Sequence, residues 1–240
     1  MTISNESRGR IKKIFEPIAL GTGRLGLTPD GLTLIGFAIT VVGAFFLGLQ
    51  SWLFGGIVVF LGGAFDMFDG TLARATGKVS KLGAFMDSVF DRWGEAIVYL
   101  GIVAGTALGG FSWGAILASA AMGAAFMVSY ARAKSEGLGF TSGTGMAAIG
   151  IMPREVRLVV LSLGLILTGV FGGVTIGDGS TSGSGFGSFD QGRAVLALAL
   201  GIIFIGSTIT VIQRILHVRS QAKSAATPVT TTTHETRSST

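Results

Sequence analysis

Six predominantly apolar stretches of the chain are each long enough to cross the roughly 30 Å hydrocarbon layer of a bilayer. They run over 31–49, 52–74, 82–108, 112–135, 155–173 and 192–215. A backbone in lipid satisfies its polar groups internally, so such runs predict helices. The expected fold is an all-α integral membrane protein of six transmembrane helices. Thr28-Pro29-Asp30 supplies turn chemistry just before the first run and marks a helix start. Ahead of it, residues 1–21 place Ile11, Ile14, Phe15 and Ile18 where they can share one face, with Arg8, Arg10, Lys12 and Lys13 among them. This suits an N-terminal amphipathic juxtamembrane helix on an anionic surface, the alternative being a disordered basic tail. No h-region or small-residue cleavage site precedes the first run, so no cleavable signal peptide is expected. A Gly/Ser-rich polar loop separates the last two runs, and residues 220–240 have no apolar period. The expected division is a membrane domain over 1–219 and a disordered cytoplasmic tail over 220–240.

Composition agrees with the pattern. Hydrophobic residues make up 49% of the chain and charged residues only 13%, about half the charged share of a typical soluble domain. Many of the 39 glycines sit inside apolar runs. The stripe Gly101, Gly105, Gly109 has the four-residue spacing that lets helices approach closely, within one subunit or across a dimer. With no cysteine in the chain, disulfides, thiolate metal sites and cysteine nucleophiles are excluded. Basic residues set the orientation. A cytoplasmic N-terminus puts the N-terminal arm, Arg74, Lys78, Lys81, Arg132, Lys134, Arg154, Arg157, Arg214, Arg219 and Lys223 inside, leaving Arg193 outside. That asymmetry predicts a multi-pass cell-membrane protein with both termini cytoplasmic. Membrane lipid is the expected large partner, and nucleic acid is not.

Polar positions invade the second and third runs. "FDMFDGTLARATGKVSKLGAFMDSVFDRWGE", Phe65 to Glu95, holds five of the thirteen acidic residues. Asp66 and Asp69 are three apart, with Gly70 and Ala73 continuing that side, while Gly83, Asp87 and Asp91 repeat every four. Two helices joined by a short basic loop can thus each turn a pair of carboxylates toward the other. Four facing carboxylates repel strongly at low dielectric unless a cation joins them. An all-oxygen set favours Mg²⁺, Mn²⁺ or Ca²⁺ over Zn²⁺, and the two histidines, His217 and His234, lie elsewhere. Small residues leave room between the acids, and Arg74 adds a charge suited to phosphate. The plainer alternative pairs the acids with Arg74, Lys78, Lys81 and Arg92 at the membrane surface.

Asp66-x2-Asp69-Gly70-x2-Ala73-Arg74-x8-Gly83-x3-Asp87-x3-Asp91 resembles the full signature of the CDP-alcohol phosphotransferases, eight fixed residues over 26 positions. The resemblance implies a six-helix membrane enzyme, usually a homodimer, that transfers a phosphatidyl or phospho-alcohol group from a CDP-linked donor to a hydroxyl and releases CMP. It implies that Asp66, Asp69, Asp87 and Asp91 bind one or two divalent ions, Mg²⁺ or alternatively Mn²⁺, and that Asp91 is the general base. Donor contacts are implied at Asp30, Gly31, Leu32 and Thr33, then at Gly70, Arg74 and Ser80. Such chemistry is coherent: a divalent ion on a diphosphate improves the electrophile and the CMP leaving group, and a carboxylate then suffices as base. Glu95 lies outside the signature and is expected to support Asp91 or to pair with Arg92.

Two further stretches bear on the acceptor. "SYARAKSE" (129–136) is similar to a segment of the family members that use inositol phosphate, the phosphatidylinositol phosphate synthases. "PREVRL" (153–158) resembles a rearranged form of their basic segment, and Gln213-Arg214 also matches. This implies CDP-diacylglycerol as donor and inositol phosphate as acceptor, its phosphate held by Arg132 or Lys134, Arg154, and also Arg157 and Arg214. Cations at the mouth of an acidic site suit a phosphorylated acceptor, although the same residues also serve the ordinary cytoplasmic basic belt. Glycerol 3-phosphate is the nearest alternative acceptor. A cation or proton transporter is the alternative of another class, since intramembrane acids often mark ion paths.

Overall fold

The computed structural model describes residues 28–76, 80–140, 149–174 and 191–226, without the side chains of Pro29, 66–76 and 224–226. The expected amphipathic helix over 1–21 lies outside the described residues, as do most of the loop before the last helix and the tail from 227.

Six helices account for nearly all of what is described: α1 (Pro29–Gly48), α2 (Trp52–Thr76), α3 (Lys81–Leu108), α4 (Ser112–Gly137), α5 (Arg154–Val170) and α6 (Gln191–Ala226). Local chemistry sets several of their ends. Thr28 is extended at φ −86°, ψ 157°, and its Oγ1 accepts a hydrogen bond from Gly31 N, with Pro29 in the first turn. Ser80 caps α3 in the same way, its Oγ accepting from Gly83 N at 2.9 Å. α5 starts directly after Pro153, which cannot donate from its own nitrogen. The sixth helix departs from expectation, continuing to Ala226 rather than ending near 215, so residues 220–226 are helical and not tail. Gln, Ala and Lys after Arg219 are good helix formers, and no breaker occurs before Pro228.

The helices pack in a closed circuit. α1 packs on both α2 and α3, α2 on α5, α5 on α6, α6 on α4, and α4 on α3. Inside it, Tyr99, Ile102, Leu161, Leu165, Leu196, Leu200 and Ile203 form a buried core with the small residues Ala118, Ala121 and Ala125 of α4. The glycine stripe of α3 is spent within the subunit. A Cβ at Gly101 would strike the carbonyl oxygen of Ala44, and one at Gly105 that of Leu47. The outer surface is apolar on every helix, with Phe45, Leu61, Leu100, Ile116, Leu163 and Ile205 all exposed. α1, α4 and α6 contain spans long and apolar enough to cross a membrane, and α2 carries a shorter apolar stretch, Trp52–Phe65.

Candidate active site

A cavity opens where α1, α2, α3 and α5 meet. Its walls include Thr40 of α1, Gly62 and Gly63 of α2, Asp91, Gly94 and Glu95 of α3, and Arg154 and Arg157 of α5. Glycines hold the helices close here. A side chain at Gly62 would meet Thr40, and one at Gly63 would meet Leu158. Asp66 and Asp69 occupy the turns of α2 that follow these glycines, although their side chains, like those of Gly70 and Arg74, lie outside the described residues.

On α3 the acids are placed as their spacing predicts. Asp87 and Asp91 are one turn apart and half-buried. Asp91 is held between two arginines: Arg154 Nη2 lies 2.8 Å from its Oδ1 and Arg92 Nη1 lies 3.1 Å from its Oδ2. Arg92 also donates to Ser88 O at 3.2 Å. One turn further along, Glu95 takes a different partner. Arg157 Nε and Nη2 donate to Glu95 Oε1 and Oε2 at 2.9 and 3.0 Å. The expected Glu95–Arg92 pair is therefore corrected. Four residues on from Asp91, Glu95 points across to α5, while Arg92 is drawn to the adjacent carboxylate.

The donor-side residues divide. Asp30 comes to the first turn of α3, since a Cβ at Gly83 would lie 3.4 Å from Asp30 Oδ1 and 3.0 Å from Ser80 Oγ. Asp30 and Ser80 thus share one exposed corner, whereas Leu32 and Thr33 are buried. The acceptor-side cations divide as well. Arg154 lies at the cavity, and Arg132 and Lys134 are exposed near the end of α4, Arg132 pairing with Glu136 at 2.9 Å. Arg157, also on the cavity wall, and Arg214 are both buried, their guanidinium groups engaged by the protein itself. Arg157 Nη1 donates to Met152 O at 3.2 Å, in addition to its bonds to Glu95. Arg214 donates to Ile149 O at 3.0 Å and to Val128 O. Ile149 and Met152 lie in the non-helical approach to α5, whose carbonyls lack helical partners and are open to a guanidinium, whereas Val128 lies within α4.

Sequence reasoning missed Thr210. Its Oγ1 accepts from Met152 N at 3.0 Å and donates to Gly206 O at 2.8 Å, fixing the segment that leads into α5. Gly150 in that segment has φ +121°, and a Cβ there would strike Thr210. The "IGIMPRE" run, a glycine shortly before a proline and a helix start, is the only sequence signal for this bend.

Asp91 and Glu95, both on α3, are the acids on the cavity wall among the described residues. The family model for CDP-alcohol phosphatidyltransferase matches residues 26–176. The chain belongs to the CDP-alcohol phosphatidyltransferase family. It is therefore an enzyme, a transferase of phospholipid synthesis, and the transporter alternative is set aside. Archaetidylinositol phosphate synthase of Pyrococcus horikoshii is 38% identical over 170 residues, covering 71% of this chain and 84% of that protein. Phosphatidylinositol phosphate synthase of Mycobacteroides abscessus is 36% identical over 168 residues, covering 69% and 74%. Phosphatidylinositol phosphate synthase of Mycobacterium tuberculosis, solved with CDP-DAG bound, superposes with a TM-score of 0.69 at 27% identity, covering 86% of this chain and 94% of that one. The same enzyme solved with manganese and citrate gives a TM-score of 0.69 at 27% identity, covering 86% and 89%.

Proposed function

We propose that this member of the family transfers the phosphatidyl group of CDP-diacylglycerol to a hydroxyl of inositol phosphate, giving phosphatidylinositol phosphate and CMP. One observation carries the proposal. Asp91, the carboxylate assigned as base, stands 2.8 Å from Arg154, a cation suited to an acceptor's phosphate, on the wall of one cavity. The names of the relatives and the CDP-DAG complex of the tuberculosis enzyme support the choice of donor and acceptor.

A divalent cation fits the residues present. Asp87 and Asp91 offer hard carboxylate oxygens one turn apart on α3, Asp91 on the cavity wall, and the signature assigns Asp66 and Asp69 to the same set. Mg²⁺ or Mn²⁺, one or two ions, suits such donors, and the manganese complex of the tuberculosis enzyme supports a metal cofactor. When bound, the ion supplies charge neutralisation of the diphosphate and of the departing CMP oxygen. The chain's own residues do the remainder. Asp91 accepts the proton of the acceptor hydroxyl as its oxygen forms a bond to the lipid-bearing phosphorus. The bond from that phosphorus to the bridging oxygen breaks, and CMP leaves with that oxygen. Arg154, with Arg132 and Lys134 nearer the surface, holds the acceptor's phosphate, and Asp30, Gly31, Gly70, Arg74 and Ser80 hold the donor's nucleotide end.

In the same reading all six helices cross the membrane, with α2, α3 and α5 completing the three more apolar spans. The catalytic mouth and both termini face the cytoplasm, residues 1–219 form the membrane domain, and two chains pair as a homodimer. Purified protein supplied with CDP-diacylglycerol, Mg²⁺ and each acceptor in turn should release CMP with inositol phosphate. Release with glycerol 3-phosphate alone would reassign the acceptor.

A further inference from the structure

Two ion pairs join α3 to α5 at the cavity as parallel rungs. The first is Asp91–Arg154 and the second, one turn deeper, is Glu95–Arg157. The two rungs differ in their exposure. The Arg154 side chain is 35% exposed, whereas that of Arg157 is only 2% exposed and is gripped at both Nε and Nη2 by Glu95. The third donor of Arg157 goes to the carbonyl of Met152, and the N–H of that same Met152 is held by Thr210 of α6. Arg154 is the first residue of α5, two positions after Met152 and three before Arg157. Its backbone is thus pinned on both sides, and the last element of the pin is a carboxylate on α3.

We propose that Glu95 is a positioning residue for the acceptor's phosphate. Through Arg157 and Met152 it fixes the first turn of α5, so that Arg154 presents its guanidinium beside Asp91. A buried arginine with two donors on one carboxylate is stiff, because separating them leaves an uncompensated charge in the protein. The inner rung therefore sets the distance between α3 and α5 that the outer rung uses. The outer rung stays exchangeable: Arg154 can release Asp91 and take a phosphate in its place, while Arg157 remains where it is. Glu95 makes no contact with the acceptor in this scheme and acts only through Arg154. The inference rests on the reading of Arg154 as a phosphate contact.

A double-mutant cycle on the full-length protein separates the two ideas. CMP release is measured against inositol 1-phosphate and against CDP-diacylglycerol for Arg154→Ala, Glu95→Gln and the double variant, with glycerol 3-phosphate as the acceptor should inositol 1-phosphate not turn over. Arg154→Ala should raise the acceptor KM by about ten- to a hundredfold, the loss expected of a charge-assisted hydrogen bond. An unchanged acceptor KM in that variant overturns the reading of Arg154 itself. Glu95→Gln should raise the acceptor KM on the order of tenfold, with kcat and the donor KM altered far less, and the double variant should be no worse than Arg154→Ala alone. Glu95→Asp, which keeps the charge, should recover part of the lost affinity. If Arg154→Ala raises the acceptor KM while Glu95→Gln leaves it unchanged, or if the two effects multiply, Glu95 does not act through Arg154. Should Glu95→Gln fail to fold, Thr210→Val takes its place in the cycle: it removes the bond to Met152 N and should raise the acceptor KM in the same direction by a smaller factor. A folded Thr210→Val with wild-type acceptor KM overturns the proposal.

Discussion

At Asp91 one carboxylate faces two guanidinium groups, Arg154 on one oxygen and Arg92 on the other. Asp91→Asn keeps the shape and removes the proton acceptor, so CMP release should fall by roughly a hundred- to ten-thousandfold, with helical circular dichroism unchanged. Substantial residual turnover would count against Asp91 as base. The four carboxylates of the signature make a second prediction. Chelation by EDTA should abolish CMP release, and Mg²⁺ or Mn²⁺ should restore it, whereas turnover that persists in EDTA would remove the metal from the account. The positions of Asp87 and Asp91 on one side of α3 were legible from their spacing alone, because a helix repeats that way whatever surrounds it. The partners of Glu95, Arg157 and Arg214 were not. Each depends on which helices become neighbours: Arg157 reaches 62 positions back in sequence and Arg214 reaches 86. A charge count also cannot tell a cation at a mouth from one buried against carbonyls.

The elements were legible almost throughout, their starts falling within two residues of the apolar runs. Capping chemistry explains the precision at Thr28 and Ser80. The exception, the extension of α6 to Ala226, arose because hydropathy marks where an apolar run ends, which is not where a helix ends. The glycines of α3 make a prediction at this scale. Gly101→Ala places a methyl against the carbonyl of Ala44, a backbone atom that cannot turn aside. It should cost about 1–3 kcal/mol, read as a lowered thermal midpoint in detergent micelles. Gly123→Ala on α4 is the control, since nothing lies within 4 Å of the added Cβ. It should be neutral or stabilising by about 0.5–1 kcal/mol, as expected for alanine replacing glycine inside a helix. Equal effects at the two sites would contradict the packing described for α3.

For the molecule as a whole, the closed circuit of helices with its apolar exterior has a defined orientation in the proposed topology. The absence of cysteine makes this testable without background. Ser112→Cys, at the exposed start of α4, should react with a membrane-impermeant maleimide in intact cells, and Ser220→Cys on the extension of α6 only after permeabilisation. The reverse pattern would invert the topology. The reaction class was more legible than the whole-molecule architecture. The signature lies in one continuous stretch, whereas the order of helices around the cavity follows from contacts between glycine faces that no single segment reveals.

The central claim is that this enzyme joins a phosphorylated polyol, phosphate intact, to the lipid of CDP-diacylglycerol. The most direct measurement supplies purified protein with CDP-diacylglycerol, Mg²⁺ and inositol phosphate labelled at its own phosphorus, then follows the label into the lipid extract alongside CMP. Labelled lipid and CMP should form in equal amounts, with unphosphorylated inositol giving neither. Labelled lipid that fails to appear, or free inositol serving equally well, would contradict it.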